Sequence, residues 1–156
     1  MNIAFGSDER NRMTDVILDD LHKRGIKVQL VGALVEENNT WPDVARRVAE
    51  AVAQGKVDEG ILCCWTGTGV SIAANKIPGI RAALCEDAET ARGARLWNDA
   101  NILCLSLRRT SEVIVLEILE SWLIHSYQPN PEDDYCLNAL QAIERDYMKP
   151  TDTMTE

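Results

Sequence analysis

Cys64 closes an apolar run, Gly60-Ile61-Leu62-Cys63-Cys64, and is followed at once by Trp65-Thr66-Gly67-Thr68-Gly69-Val70-Ser71. A strand running directly into Thr-Gly-Thr-Gly and then a helix is an anion-binding arrangement. The glycines let the backbone turn tightly and approach a ligand, while the helix start offers unpaired N–H groups at the positive end of its dipole. A thiol at the strand end, facing that terminus, has its thiolate favoured and becomes a base or a nucleophile. The loop lacks the Gly-Lys-Ser/Thr of a nucleotide-phosphate loop, and Gly67 and Gly69 lack the third glycine of a dinucleotide fingerprint. Taken alone, it also reads as a tight strand-to-helix turn without a ligand.

The remaining thiols carry less chemistry. Cys63, Cys85 and Cys104 read as small buried hydrophobes. Five cysteines, an odd number, read as reduced thiols rather than a disulfide framework. Neighbouring strand residues point to opposite faces, so Cys63 and Cys64 cannot easily share a tetrahedral metal site. The two histidines, His22 and His125, lie in separate helix-like stretches and read as surface or packing residues. Neither a metal nor a cofactor is expected.

Short apolar runs alternate with amphipathic stretches. Asn2–Ser7, Lys27–Val31, Gly60–Cys64, Ile80–Leu84 and Asn101–Leu105 read as strands. Arg10–Arg24, Trp41–Gln54, Val70–Asn75, Glu86–Leu96 and a strongly amphipathic Ser111–Ser126 read as helices. Gly25 and Gly55 sit where helices end, and Pro42 suits a first turn. Repeated strand–helix alternation predicts an α/β fold: a doubly wound, Rossmann-like, five-stranded parallel sheet flanked by helices. Its ligand belongs at the carboxyl ends of the strands, which selects the loops Asp8–Arg12, Trp65–Ser71, Cys85–Asp87 and Ser106–Arg109. Residues 1–126 form the α/β domain in this reading, residues 127–150 a linker (Tyr127–Asp134) and an extra C-terminal helix (Tyr135–Tyr147), and residues 151–156 a flexible tail.

A net charge of -9 repels phosphate backbones, so nucleic acid is not an expected partner, and an anionic substrate needs a local patch of donors. No apolar run approaches the roughly 18 residues of a membrane span. Met1–Gly6 lacks the regions of a signal peptide, so a cytoplasmic address is expected.

The run Gly60-Ile61-Leu62-Cys63-Cys64-Trp65-Thr66-Gly67-Thr68-Gly69-Val70-Ser71-Ile72-Ala73-Ala74-Asn75-Lys76-Ile77-Pro78-Gly79-Ile80-Arg81-Ala82-Ala83-Leu84-Cys85 closely resembles the signature of the ribose-5-phosphate isomerase B family, which includes the galactose-6-phosphate isomerase subunits. Asp8, Trp41-Pro42-Asp43, Thr90-Ala91-Arg92, Asn98-Asp99-Ala100-Asn101 and Leu107-Arg108 extend the resemblance over roughly Met1 to Trp122. It implies a metal-independent aldose–ketose isomerase working through a cis-enediolate on a small sugar phosphate. By the resemblance Cys64 is the base that moves the proton between C2 and C1. Thr66 helps move the proton between the sugar oxygens, and the backbone of Gly67, Thr68, Gly69, Val70 and Ser71 forms an oxyanion hole. Asp8, Ser71, Asn75 and Asn98 would bind hydroxyls, and Arg108 would meet the phosphate. The family builds its site at a dimer interface, which implies a homodimer or dimer of dimers with shared sites and a C-terminal helix packed on a partner subunit.

The sequence departs from the family pattern at several positions. Glu9 stands where histidine is usual, and Trp97 replaces a histidine credited with opening the sugar ring. Trp65 replaces the glycine after the catalytic cysteine. The C-terminal helix begins Asp133-Asp134-Tyr135-Cys136 in place of phosphate-binding arginines, which leaves Arg10 and Arg12 as phosphate candidates. Trp65 and Trp97 either narrow the pocket or stack on the sugar, or else pack in the core. Without a ring-opening acid, the expected substrate needs no help in opening. A tetrose 4-phosphate, which cannot close a furanose through its phosphorylated oxygen, fits, as does an atypical pentose phosphate. The alternative is a non-catalytic sugar-binding or partner subunit of the same fold.

Overall fold

The computed structural model describes residues 1–147. Five strands, β1 (Asn2–Ser7), β2 (Lys27–Gly32), β3 (Glu59–Cys64), β4 (Ala82–Leu84) and β5 (Ile102–Ser106), form one sheet in the order β2-β1-β3-β5-β4. Every pairing is parallel, as predicted. The helices are α1 (Arg12–Lys23), α2 (Trp41–Ala53), α3 (Thr68–Ala74), α4 (Ala88–Asn98), α5 (Glu112–Ile124) and α6 (Pro131–Tyr147), with a short 3-10 turn at Ala33–Val35. None of these described helices is long and apolar enough to cross a membrane.

The central strands alternate between two cores. Ile3, Phe5, Cys63, Leu103 and Leu105 pack with Ile17 of α1 and with Ile118 and Trp122 of α5. Ala4, Leu62, Cys64, Ile102 and Cys104 pack with Val44 and Val48 of α2 and Val70 of α3 on the other face. β3 is buried along its whole length, which is why it reads as a continuous apolar run. The chain leaves β1 toward β2 on one side and continues through β3 on the other. The crevice between the carboxyl ends of β1 and β3 is therefore the topological switch point.

Four expectations change. α1 begins at Arg12, because Asn11 caps it in a reciprocal box with Thr14, and Arg10 lies outside the helix. β4 is shortened to three residues, and Ile80 and Arg81 form the approach to it. α5 is not strongly amphipathic: Val115, Ile118, Leu119 and Trp122 are buried, but Val113, Leu116 and Ile124 are exposed on its other sides. The linker is shorter than expected, since α6 starts at Pro131. The Asn130 side chain accepts the Asp133 N–H at 2.9 Å, and three acids occupy the positive first turn. The predicted tail at residues 151–156 lies outside the described residues.

Candidate active site

Register brings the first site residues together. Ser7 of β1 pairs with Cys63 of β3, so Asp8 and Cys64 are neighbours at the carboxyl ends of the two strands flanking the switch point. Cys64 is 6% exposed, ends β3, and belongs to the same core cluster as Val70 in the first turn of α3. The strand end is pinned to its neighbour. Leu107 N–H donates to Cys64 O, Arg108 N–H to Trp65 O and the Ser106 hydroxyl to Trp65 O, each at 3.0 Å.

Gly67 makes the turn. Its φ of 74° is left-handed, and a Cβ there would meet the Leu105 carbonyl carbon at 2.9 Å and oxygen at 3.0 Å, so no side chain fits. The helix that follows leaves the N–H groups of Thr68, Gly69 and Val70 without a backbone acceptor among the described residues, and no side chain caps them. Three free donors thus follow the thiol-bearing strand end within one short turn. The Thr66 and Thr68 hydroxyls lie 2.7 Å apart at the exposed mouth of the loop.

Asp8 is the second unsatisfied group. Its Oδ1 is buried without a hydrogen-bond partner, and burial holds its pKa above the ordinary carboxylate value. Among the thiols not assigned chemistry, burial pushes Cys63 and Cys104 well up and Cys85 to about 12, which keeps all three neutral.

Several expected site residues are placed differently. The Ser71 N–H is already engaged, donating to Gly67 O at 3.2 Å. Of the expected Gly67–Ser71 donors, the N–H groups of Gly67 to Val70 therefore have no backbone acceptor among the described residues, and that of Ser71 has one. The Asn75 amide is fully committed to structure. Its Nδ2 donates to Ser71 O (3.0 Å) and Ala82 O (2.9 Å), and its Oδ1 accepts Ala82 N–H (2.9 Å), so it pairs with the free edge of β4 instead of facing a ligand. Arg12 meets Glu112 at 2.8 and 3.3 Å, and Arg10 meets Asp15 at 3.0 Å, exposed surface pairs that a phosphate could displace. Arg108 is exposed at the end of the loop and makes no ion pair among the described residues.

Trp97 and Asn98 end α4, which leads into the amino end of β5. Five residues of β5, at about 3.3 Å each, therefore separate them from the Cys64 loop by roughly 15 Å. One chain does not bring them to its own thiol. A cleft of about 430 Å³ opens at that same end, between α6 and the edge strand, lined by Arg81, Asn98, Asp99, Leu140 and Glu144. The Cys64 loop is instead open, with Trp65 56% exposed beside it.

Trp41, in the first turn of α2, was not among the expected site residues. A Cβ at Gly69 would meet its indole at 3.1–3.3 Å, so the ring lies directly against the donor loop. Its position at the start of a helix facing the switch point was the available signal.

An α/β sheet with a thiol, a half-buried carboxylate and three unpaired amides at its switch point has the donors for an anion and groups able to carry a proton. The Ribose/Galactose Isomerase family pattern matches residues 3–135. Ribose-5-phosphate isomerase B of Escherichia coli is 38% identical over 144 residues, which cover 92% of this chain and 96% of that protein. D-erythrulose-4-phosphate isomerase of Pectobacterium atrosepticum is 38% identical over 125 residues, 79% of this chain and 82% of that one. The solved structure of Clostridium thermocellum ribose-5-phosphate isomerase B superposes with a TM-score of 0.88 at 41% identity, covering 94% of this chain and 99% of that one. The chain belongs to the ribose/galactose isomerase family.

Proposed function

We propose that this chain interconverts an aldose phosphate of short or non-cyclising carbon chain, such as a tetrose 4-phosphate, with the corresponding ketose phosphate, in a site shared between two copies. Sugar-phosphate aldose–ketose isomerisation is the activity that family membership carries. The observation that carries the mechanism is Cys64 at the end of the strand that runs into a helix start whose Thr68, Gly69 and Val70 N–H groups are free.

The Cys64 thiolate removes the proton from C2 of the open-chain aldose. The electron pair moves to C1–C2, and the former carbonyl oxygen takes up the charge of the enediolate. Fixed amides pointing at that oxygen stabilise charge that exists only after proton removal. Thr66 relays the proton between O1 and O2, and the cysteine returns its proton to C1. Asp8 accepts a hydroxyl, and Arg108, beside the loop, meets the phosphate.

The two-chain arrangement rests on placement. Trp97 and Asn98 lie at the amino end of the sheet, away from the thiol of their own chain, so a second copy is needed to bring them to it. α6 exposes Tyr135, Leu140 and Ile143 and is assigned to the same partner contact. The five unpaired cysteines suit a reducing cytoplasm. Trp97 in place of a ring-opening imidazole favours substrates that stay open, and one relative is named for erythrulose 4-phosphate.

The test is turnover of D-erythrose 4-phosphate or D-erythrulose 4-phosphate against D-ribose 5-phosphate under one set of conditions. The reading expects kcat/KM for the four-carbon substrate to exceed that for ribose 5-phosphate. Equal or better turnover of ribose 5-phosphate would overturn the short-chain assignment and leave the isomerase chemistry standing.

A further inference from the structure

Gly93 sits in the interior of α4, where glycine disfavours the helix relative to alanine. The three nearest atoms that a Cβ there would meet all belong to the ring of Trp97, at 2.5, 2.7 and 3.3 Å. The indole, one turn further along the helix, therefore occupies the notch that the missing side chain leaves. Trp97 is nonetheless 53% exposed, so the seated ring still presents much of its surface outward.

The turn beyond it is fixed with equal care. Asp99 is left-handed (φ 46°), a conformation that persists in a non-glycine residue when its surroundings determine it. Arg81 donates from Nε to Asp99 O and from a terminal nitrogen to Asp99 Oδ2, both at 2.6 Å. Arg95 donates to Ala100 O at 2.5 Å. An indole that merely lay on the surface would need neither a notch nor a clamped turn.

We propose that Gly93 is a positioning residue, seating the Trp97 indole so that the end of α4 presents a preformed apolar wall to a sugar held at the Cys64 loop of a neighbouring copy. This rests on the shared-site reading above. The wall offers contact to the C–H face of the sugar, and its effect is on substrate binding. Gly93 itself touches no substrate.

Because the contact is with a surface ring that can rotate away, Gly93→Ala separates placement from folding. The experiment compares wild type, Gly93→Ala, Trp97→Ala, the double variant and Cys64→Ser. Readouts are thermal unfolding, kinetics with whichever of D-erythrose 4-phosphate and D-ribose 5-phosphate is turned over, and fluorine NMR of chain labelled with 5-fluorotryptophan. Gly93→Ala is expected to unfold at or above the wild-type temperature and to move the Trp97 signal, leaving those of Trp41, Trp65 and Trp122 in place. Its kcat/KM is expected to fall at least about tenfold, chiefly through KM. In the Trp97→Ala background the same substitution should change kcat/KM no further. Mixing Cys64→Ser with Trp97→Ala chains should give activity above that of either variant alone.

A displaced Trp97 signal with kcat/KM within about twofold of wild type would overturn the proposal, since ring placement would then not matter. So would a Gly93→Ala loss that persists in Trp97→Ala, because it would be structural. Activity surviving in Cys64→Ser would overturn the site reading, and this inference with it.

Discussion

Asp8 combines a function with a cost to folding. Its carboxylate is partly buried, one oxygen lacks a partner, and burial raises its pKa above 3.8. A folded pKa above the unfolded one means that the folded state holds the proton more tightly. Its contribution to stability is thus present at low pH and is lost as pH rises through the folded value. Asp8→Asn is therefore expected to raise the unfolding temperature at neutral pH. If ionised Asp8 accepts a sugar hydroxyl, the same variant should lower kcat/KM about tenfold or more. It should also remove an acidic limb, lying above 3.8, from the pH profile of kcat/KM. Unchanged kcat/KM with raised stability would make Asp8 a structural acid only. Legibility at this scale was uneven. Cys64 and Gly67 are announced by local chemistry, a thiol at a strand end and a turn that admits no side chain. The partners of Arg10, Arg12 and Asn75, namely Asp15, Glu112 and the β4 backbone, were not legible, because packing that residue type does not reveal sets them.

The elements show the same division. Alternating apolar runs and helical stretches were enough for a parallel sheet, because period and burial follow from the residues themselves. Strand order was not readable, since it depends on which crossovers pack, and the start of α6 was missed although Asn130-Pro131 followed by three acids is a start signal. At the amino end of the sheet, α4, α5 and β3 are joined by one buried network. Arg95 pairs with Glu59, Trp122 Nε1 donates to Glu59 at 2.6 Å, and the Arg95 guanidinium lies 4.9 Å from the centre of the Trp122 ring. Burial raises the pKa of Glu59, and Arg95 and Trp122 oppose that rise. Arg95→Ala leaves a buried carboxylate without its cation, so unfolding stability should fall by about 3–5 kcal/mol. For a chain of this length that is a drop of roughly 10 °C or more in Tm. A loss below about 1 kcal/mol would show that the pair is not what joins these elements.

At the scale of the molecule, the proposed shared site would draw its parts from opposite ends of the sheet of two copies. The thiol, the donor loop, Asp8 and Trp41 gather at the carboxyl end, while Trp97, Asn98 and the clamped turn lie at the amino end. The family resemblance implied a site at a dimer interface, and the position of α4 shows which residues a second copy would have to supply. Every part of the account nevertheless depends on Cys64 moving a proton. The most direct measurement is incorporation of deuterium from solvent at C1 and C2, followed by NMR, with D-erythrose 4-phosphate and D-ribose 5-phosphate, for wild type and Cys64→Ser. The account predicts exchange with at least one of these sugars in the wild type and none in Cys64→Ser, which should still fold and bind the sugar phosphate. Exchange at the wild-type rate in Cys64→Ser, or no exchange in wild-type protein that binds these sugars, would contradict it.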